Sequence, residues 1–175
     1  MRPEAERALL VDGFMQPNEL AWLADRAAEC DTVIEVGSWK GRSTTALCAA
    51  RERVDCVDNW SGRWGTGADY EAGVWEFFAH NLREERASGK VRVFMGDSTR
   101  LARWLSPVDM VFIDADHTYF AVKSDIEAYR PLVKPGGLLC GHDYHPTDWP
   151  DVVRAVDEAF PNVERAGFSI WWVRL

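Results

Sequence analysis

Aspartate and histidine recur at one kind of place in this chain, directly after a short apolar run. Asp58 follows residues 53–57, Asp97 follows 91–96, Asp114 follows 110–113, and His142 with Asp143 follows 138–141. His117 stands three positions beyond Asp114, and His145 two beyond Asp143. Gly37 closes a further run, residues 32–36, which carries Glu35 inside it. An apolar run that stops at a carboxylate reads as a buried strand delivering a charged group to one end of a sheet. Carboxylates there can bind ribose hydroxyls. An imidazole, with its reference pKa near neutral, can take a proton. Paired carboxylates can hold a hard divalent cation.

These groups act together only if the elements before them bring them to one edge. Residues 32–36, 53–57, 91–95, 110–113 and 138–141 are expected as strands. Helical spacing marks residues 17–28, with Leu20, Leu23 and Ala27 on one face, and residues 70–87, with Val74, Phe77, Phe78 and Leu82. Further helices are expected over about 4–11, 42–52, 99–105, 119–130 and 152–160. Residues 134–137 read as a turn, and 162–166 with 169–174 as a closing hairpin around Gly167. Strands alternating with helices predict an α/β fold. It is Rossmann-like and doubly wound: a mostly parallel seven-stranded sheet with helices on both faces and an antiparallel C-terminal hairpin. Ligands of such sheets sit beyond the carboxyl ends of the strands. That rim collects Gly37, Asp58, Asp97, Asp114, His142 and Asp143.

Composition narrows the classes. The 175 residues are 47% hydrophobic and 27% charged, as in a globular protein, and suffice for one domain with a sizeable core. That domain is read as a helical lead-in over 1–30, a core over 31–145 and a closing part over 146–175. A net charge of −8 without a basic run argues against nucleic acid as a partner. No apolar stretch approaches a membrane span of roughly 20 residues, so no membrane partner is expected. The N-terminus lacks the apolar core of a signal peptide. Cys30, Cys48, Cys56 and Cys140 show no C-x-x-C spacing and are expected as buried thiols in a reducing, cytoplasmic setting.

The turn after residue 36 separates two ligand classes. Gly37 can take a backbone shape that a Cβ would strain, and it lets a ligand approach the main chain. A helix N-terminus follows at about Arg42. Asp58, 21 residues after Gly37, stands where a ribose-binding carboxylate is expected. The glycine spacing is Gly37-x-x-x-Gly41, without the middle glycine that lets a pyrophosphate approach. Glu35 would be costly buried alone. Its expected uses are to hold the turn through backbone N–H groups and to face a cationic ligand. Lys40 keeps a phosphate in play. S-adenosylmethionine has an ammonium, a sulfonium and a ribose but no phosphate, and fits all of these features. A nicotinamide cofactor fits Asp58 alone.

Glu35-Val-Gly-Ser-Trp-Lys-Gly41, Asp58-Asn-Trp60, Gly96-Asp-Ser98, Phe112-Ile-Asp-Ala-Asp-His117 and Lys134-Pro-Gly-Gly-Leu-Leu-Cys-Gly-His-Asp143 resemble the successive motifs of class I S-adenosylmethionine-dependent methyltransferases. The similarity runs over about residues 31–145. It is strongest to the small-molecule O-methyltransferase branch: the catechol, macrolide-sugar and cephalosporin-hydroxylase-like types. This resemblance implies that Glu35, Gly37, Ser38, Gly41 and Ser43 surround the methionine part of the cofactor. Asp58 and Asn59 would bind the ribose, and Asp97 with Ser98 the adenine edge. Asp114 is a further cofactor-lining position. Trp60 is expected either on the adenosine or in the core.

The resemblance also implies transfer of a methyl group to a hydroxylated small molecule. His117, next to Asp114, is the expected base. The catechol type carries a lysine there, so role and residue type diverge. The alternative for His117 is a cap or a surface histidine. Asp114, His142 and Asp143 are expected to hold a divalent metal. Metal-using relatives have a carboxylate where His142 stands, and an imidazole favours Mn, Fe, Co or Zn over Mg. Otherwise His142 is a second acid–base group. His145 is a fourth ligand or a loop residue, Asp116 a steadying partner of His117 or a helix cap, and Arg42 a surface charge. Loops 59–69 and 144–150, with their tryptophans, are candidate lids. A non-catalytic binder of the cofactor is the alternative function. Trp171 and Trp172 suggest apolar surface for a homodimer, unless they are core.

Overall fold

The computed structural model describes residues 1–61 and 72–175. Trp64, the glycines around it and Tyr70 lie outside the described residues. The elements run α1 Pro3–Ala8, α2 Pro17–Ala27, β1 Thr32–Val36, α3 Arg42–Leu47, β2 Arg53–Asp58, α4 Val74–Asn81, α5 Arg83–Ala87 and β3 Val91–Met95. The second half follows with α6 Ser98–Leu101, β4 Val108–Ile113, α7 Tyr119–Tyr129, β5 Val133–Gly141, α8 Pro150–Ala159, β6 Glu164–Ala166 and β7 Ile170–Arg174. The seven strands make one sheet in the order β3-β2-β1-β4-β5-β7-β6. The first five in that order are parallel, and β7 and β6 antiparallel. The chain leaves β1 toward β2 and β3, then returns to β4 and β5 on the other side. The crevice of a doubly wound sheet therefore opens between β1 and β4.

Strand periodicity divides the core into two layers. Val33, Met110, Phe112 and Cys140 face the layer of α1, α2, α3 and α4, with Leu20, Leu23, Leu47 and Phe78. Ile34, Val36, Val111, Ile113 and Leu139 face the layer of α6, α7 and α8, with Val122, Ile126 and Val156. The same alternation parts the two tryptophans of β7. Trp171 is fully buried in the second layer, and Trp172 turns the other way against Trp22. Trp171 thus takes the core alternative, and Trp172 is partly buried.

The expected helix over 70–87 is two. It begins at Val74 after Gly73, and it breaks at Leu82, whose φ is −107° and ψ 21°. Leu82 is fully buried and fills the notch above Gly41, where a Cβ on Gly41 would lie 2.2 Å from its Cδ2. The helix after Gly41 stops at Leu47, short of residue 52. Residues 134–137 loop out within the bounds of β5, since Val108 pairs with Val133 and Met110 already with Leu138. All four cysteines are free and buried. Among the described residues no helix is long and apolar enough to cross a membrane.

Candidate active site

The rim beyond β1 is built on two carboxylates. Glu35 is 0% exposed and accepts from the hydroxyls of Ser38 (2.6 Å), Ser43 (2.6 Å) and Thr44. It holds the turn through side-chain hydroxyls rather than the expected backbone N–H groups, and it does not lie open to a ligand. Burial, against those three hydrogen bonds, pushes its pKa up to about 7. Asp58 does the backbone work. Its Oδ2 accepts from Ser38 N (2.8 Å) and Trp39 N (2.9 Å), and its Oδ1 from Trp60 N (2.7 Å). Those bonds hold Trp39 and Trp60 at φ 42° and 45°, a region bulky residues avoid. Gly37 is required by packing: a Cβ there would lie 2.1 Å from the Asp114 carbonyl oxygen.

Both cations of the turn are committed away from the rim. Lys40 Nζ donates to Asp12 (2.6 Å). Arg42 is no mere surface charge: its guanidinium clasps the carbonyls of Val11 (2.6 Å) and Met15 (2.9 Å). Trp60 resolves to the core reading. Its ring is buried against Trp75 and Phe78, and its Nε1 donates to the Trp39 carbonyl (2.9 Å). Asn59 accepts from Ser61 N (2.8 Å). Beyond β3, Asp97 caps α6 by accepting from Arg100 N (2.9 Å), while Ser98 donates to the buried Asp125 (2.5 Å).

Charge gathers beyond β4 and β5. His117 Nε2 lies 2.6 Å from Asp143 Oδ2 and 3.8 Å from Asp114 Oδ1. His142 Nδ1 lies 3.3 Å from Asp143 Oδ1 and 3.7 Å from Asp114 Oδ1. Asp143 takes φ 60°, which aspartate tolerates, and its carboxylate sits between the two rings. Burial opposes a charge on His117, but Asp114 and Asp143 outweigh it and raise the pKa to about 9. The same contest raises His142 and lowers Asp143. Trp149 stacks on His117 with centroids 4.2 Å apart, so loop 144–150 does cover the imidazole.

Among the described residues, the ligand atoms of Asp114, His117 and Asp143 lie within 4.8 Å of one another, close enough for one metal ion. The compact group thus contains His117 where the sequence pointed to His142, although His142 borders the same carboxylates. His145 is a loop residue, paired with Asp148 at 3.1 Å and stacked on Phe168. Asp116 serves the helix start, accepting from Thr118 N (2.7 Å).

Residues 34–144 match the sequence profile of a family described as a methyltransferase domain. The chain belongs to this methyltransferase family. Curated relatives include the uncharacterized protein y4gI of Sinorhizobium fredii, 26% identical over 151 residues, which cover 82% of this chain and 15% of that protein. Another is the uncharacterized protein R132 of Acanthamoeba polyphaga mimivirus, 33% identical over 63 residues, 35% of this chain and 28% of that protein. The matches thus span only a small part of these relatives' length. Among solved structures, the methyltransferase domain resembles cofactor-bound Rv0187 from MTB (TM-score 0.71, 18% identity, 98% of this chain and 89% of that one). It also resembles CalS11, a TDP-rhamnose 3'-O-methyltransferase of calicheamicin biosynthesis (TM-score 0.65, 16% identity, 89% and 76%). A third likeness is the O-methyltransferase TomG from Streptomyces achromogenes in complex with SAM (TM-score 0.69, 16% identity, 100% and 90%). At these identities the likeness is one of fold.

Sequence reasoning on the methyltransferase domain missed Glu19. This α2 residue is 1% exposed, and its Oε2 stands 3.2 Å from His142 Nε2. Burial resists its charge, but His142 and backbone N–H donors hold its pKa down at about 2. The local signal, Gln16-Pro-Asn-Glu19, is a capping box and announces only a helix start. Phe14, stacked on Trp39 at 5.6 Å, was missed as well.

Proposed function

We propose that this chain transfers the methyl group of S-adenosylmethionine to a hydroxyl oxygen of a small molecule. The observation that carries the reading is the convergence of Asp114, His117 and Asp143 at the ends of β4 and β5, beside the β1 turn. The charge of the rim supports the cofactor. Its part-buried carboxylates Asp58, Asp114 and Asp143 suit a cationic ligand with ribose hydroxyls, while Lys40 and Arg42, the cations a phosphate would need, are bound elsewhere. On this reading Glu35, Ser38, Ser43 and the two glycines shape the methionine end. Asp58 with Asn59 serves the ribose, and Asp97 with Ser98 the adenine. Buried thiols fit a reducing, cytoplasmic setting.

S-adenosylmethionine supplies a methyl carbon made electrophilic by its sulfonium. The chain must align the acceptor oxygen and take its proton. His117 is the proton acceptor, and Asp114 and Asp143, which face its Nε2, stabilise the imidazolium that results. Trp149 shields that ring from water on one face. Asp114 and Asp143 could hold a divalent cation, with His117 or the bordering His142 as nitrogen donor, and when bound it would polarise the acceptor hydroxyl.

Calorimetry with S-adenosylhomocysteine tests the cofactor, with saturable binding at tens of micromolar or tighter expected. A hydroxylated-substrate library, read by release of S-adenosylhomocysteine, tests the reaction. No heat of binding would overturn the reading. Binding without turnover of any acceptor would leave a cofactor-binding protein and overturn the enzyme.

A further inference from the structure

Glu19 is buried, charged and unused by methyl transfer as described. Its Oε1 accepts from Phe168 N (3.2 Å), Ser169 N (2.7 Å) and Ser169 Oγ (3.1 Å). Its Oε2 accepts from Gln16 N (2.9 Å) and faces His142 Nε2 at 3.2 Å. The side chain packs close on Gly167, where a Cβ would lie 2.5 Å from Glu19 Cγ. A carboxylate only accepts, so this contact puts hydrogen on His142 Nε2. The opposite nitrogen, Nδ1, is turned to Asp143 Oδ1 and Asp114 Oδ1, and a cation between those carboxylates would take the place of the Nδ1 proton.

We propose that Glu19 is a positioning residue: it fixes the ring and tautomer of His142 so that the Nδ1 lone pair faces a divalent cation held by Asp114 and Asp143. The inference rests on the cation reading of the rim. A carboxylate behind a ligating imidazole orients the ring and raises its basicity. The resulting nitrogen donor favours cobalt, manganese or zinc over magnesium. Glutamine at position 19 reverses the arrangement. Its carbonyl can still serve Ser169, which turns the NH2 toward His142. Nε2 must then accept, and the hydrogen moves to Nδ1, against the cation.

The test is cobalt(II) titration of the purified full chain, read by its visible absorption and by competition with magnesium. The wild type is expected to bind one cobalt ion and to prefer it to magnesium. Glu19→Gln should weaken cobalt binding about 10–100-fold, with little change for magnesium. His142→Asn should show the same loss, and adding Glu19→Gln to it should cost nothing further. That lack of additivity is what a merely structural Glu19 would not produce. Where Glu19→Gln does not fold, Glu19→Asp keeps the charge, withdraws it from His142 and should lose cobalt in the same direction. Unchanged cobalt affinity in a folded Glu19 variant, or an additive double variant, overturns the proposal and leaves the cation reading standing. Absence of cobalt binding by the wild type overturns both, while S-adenosylhomocysteine binding reports separately on the cofactor.

Discussion

The two halves of the rim use the same residue type in opposite ways. Beyond β1 and β2, Glu35 and Asp58 are closed in on hydroxyls and backbone N–H groups. Their oxygens hold the turn in shape. Beyond β4 and β5, Asp114 and Asp143 face imidazoles, groups that can exchange a proton or share a cation. A carboxylate given mainly to neutral donors shapes the site. A carboxylate balanced by titratable rings is chemistry. The contrast sets a half that shapes a turn against a half, His117 included, whose groups can move a proton.

His117→Ala should break the contrast most severely. Loss of a proton acceptor should lower turnover by about 10²–10⁴-fold, with S-adenosylhomocysteine affinity unchanged by calorimetry. A parallel loss of affinity would mean that His117 belongs to the scaffold. Glu35→Ala should act in reverse and lower stability by about 3 kcal/mol in urea unfolding, because three hydroxyls lose their acceptor. Trp60→Phe should cost only about 1 kcal/mol, for its indole hydrogen bond, and leave the cofactor affinity alone.

Acidity sharpens the same comparison. The folded pKa of Glu35, about 7, lies above its ordinary value of 4.5. Its contribution to stability is therefore complete below 4.5 and lost as pH rises through about 7. Thermal melts of wild type and Glu35→Gln should diverge across this window and run parallel above it. On the other half, neutral His117 is the accepting form, so turnover should climb with pH toward about 9. A turnover profile flat above neutrality would show that His117 is not the proton acceptor.

Strands and rim were legible because each apolar run stops at a glycine or a charge, and the sheet turns that punctuation into position. What the side chains do with one another was less legible. Asp58 stands where a ribose carboxylate was expected, yet its backbone partners Ser38 and Trp39 depend on a left-handed turn that no periodicity reports. Arg42 looked solvated because its carbonyl partners have no side-chain signature. Leu82 read as one more position on a helical face, whereas its fit above Gly41 breaks the helix. Glu19 meets His142 across 123 residues of chain, and local pattern carries nothing over that distance.

The carboxylate of Glu19 also sets a schedule. Its partner Ser169 lies 150 residues later. At synthesis rates of about 5–20 residues per second, roughly 8 to 30 s separate the two on the ribosome. Through that interval α2 carries a charge destined for burial, with Gln16 N at hand but its distant partners not yet made. The set of bonds around Glu19 is therefore complete only when the segment that carries Ser169 arrives.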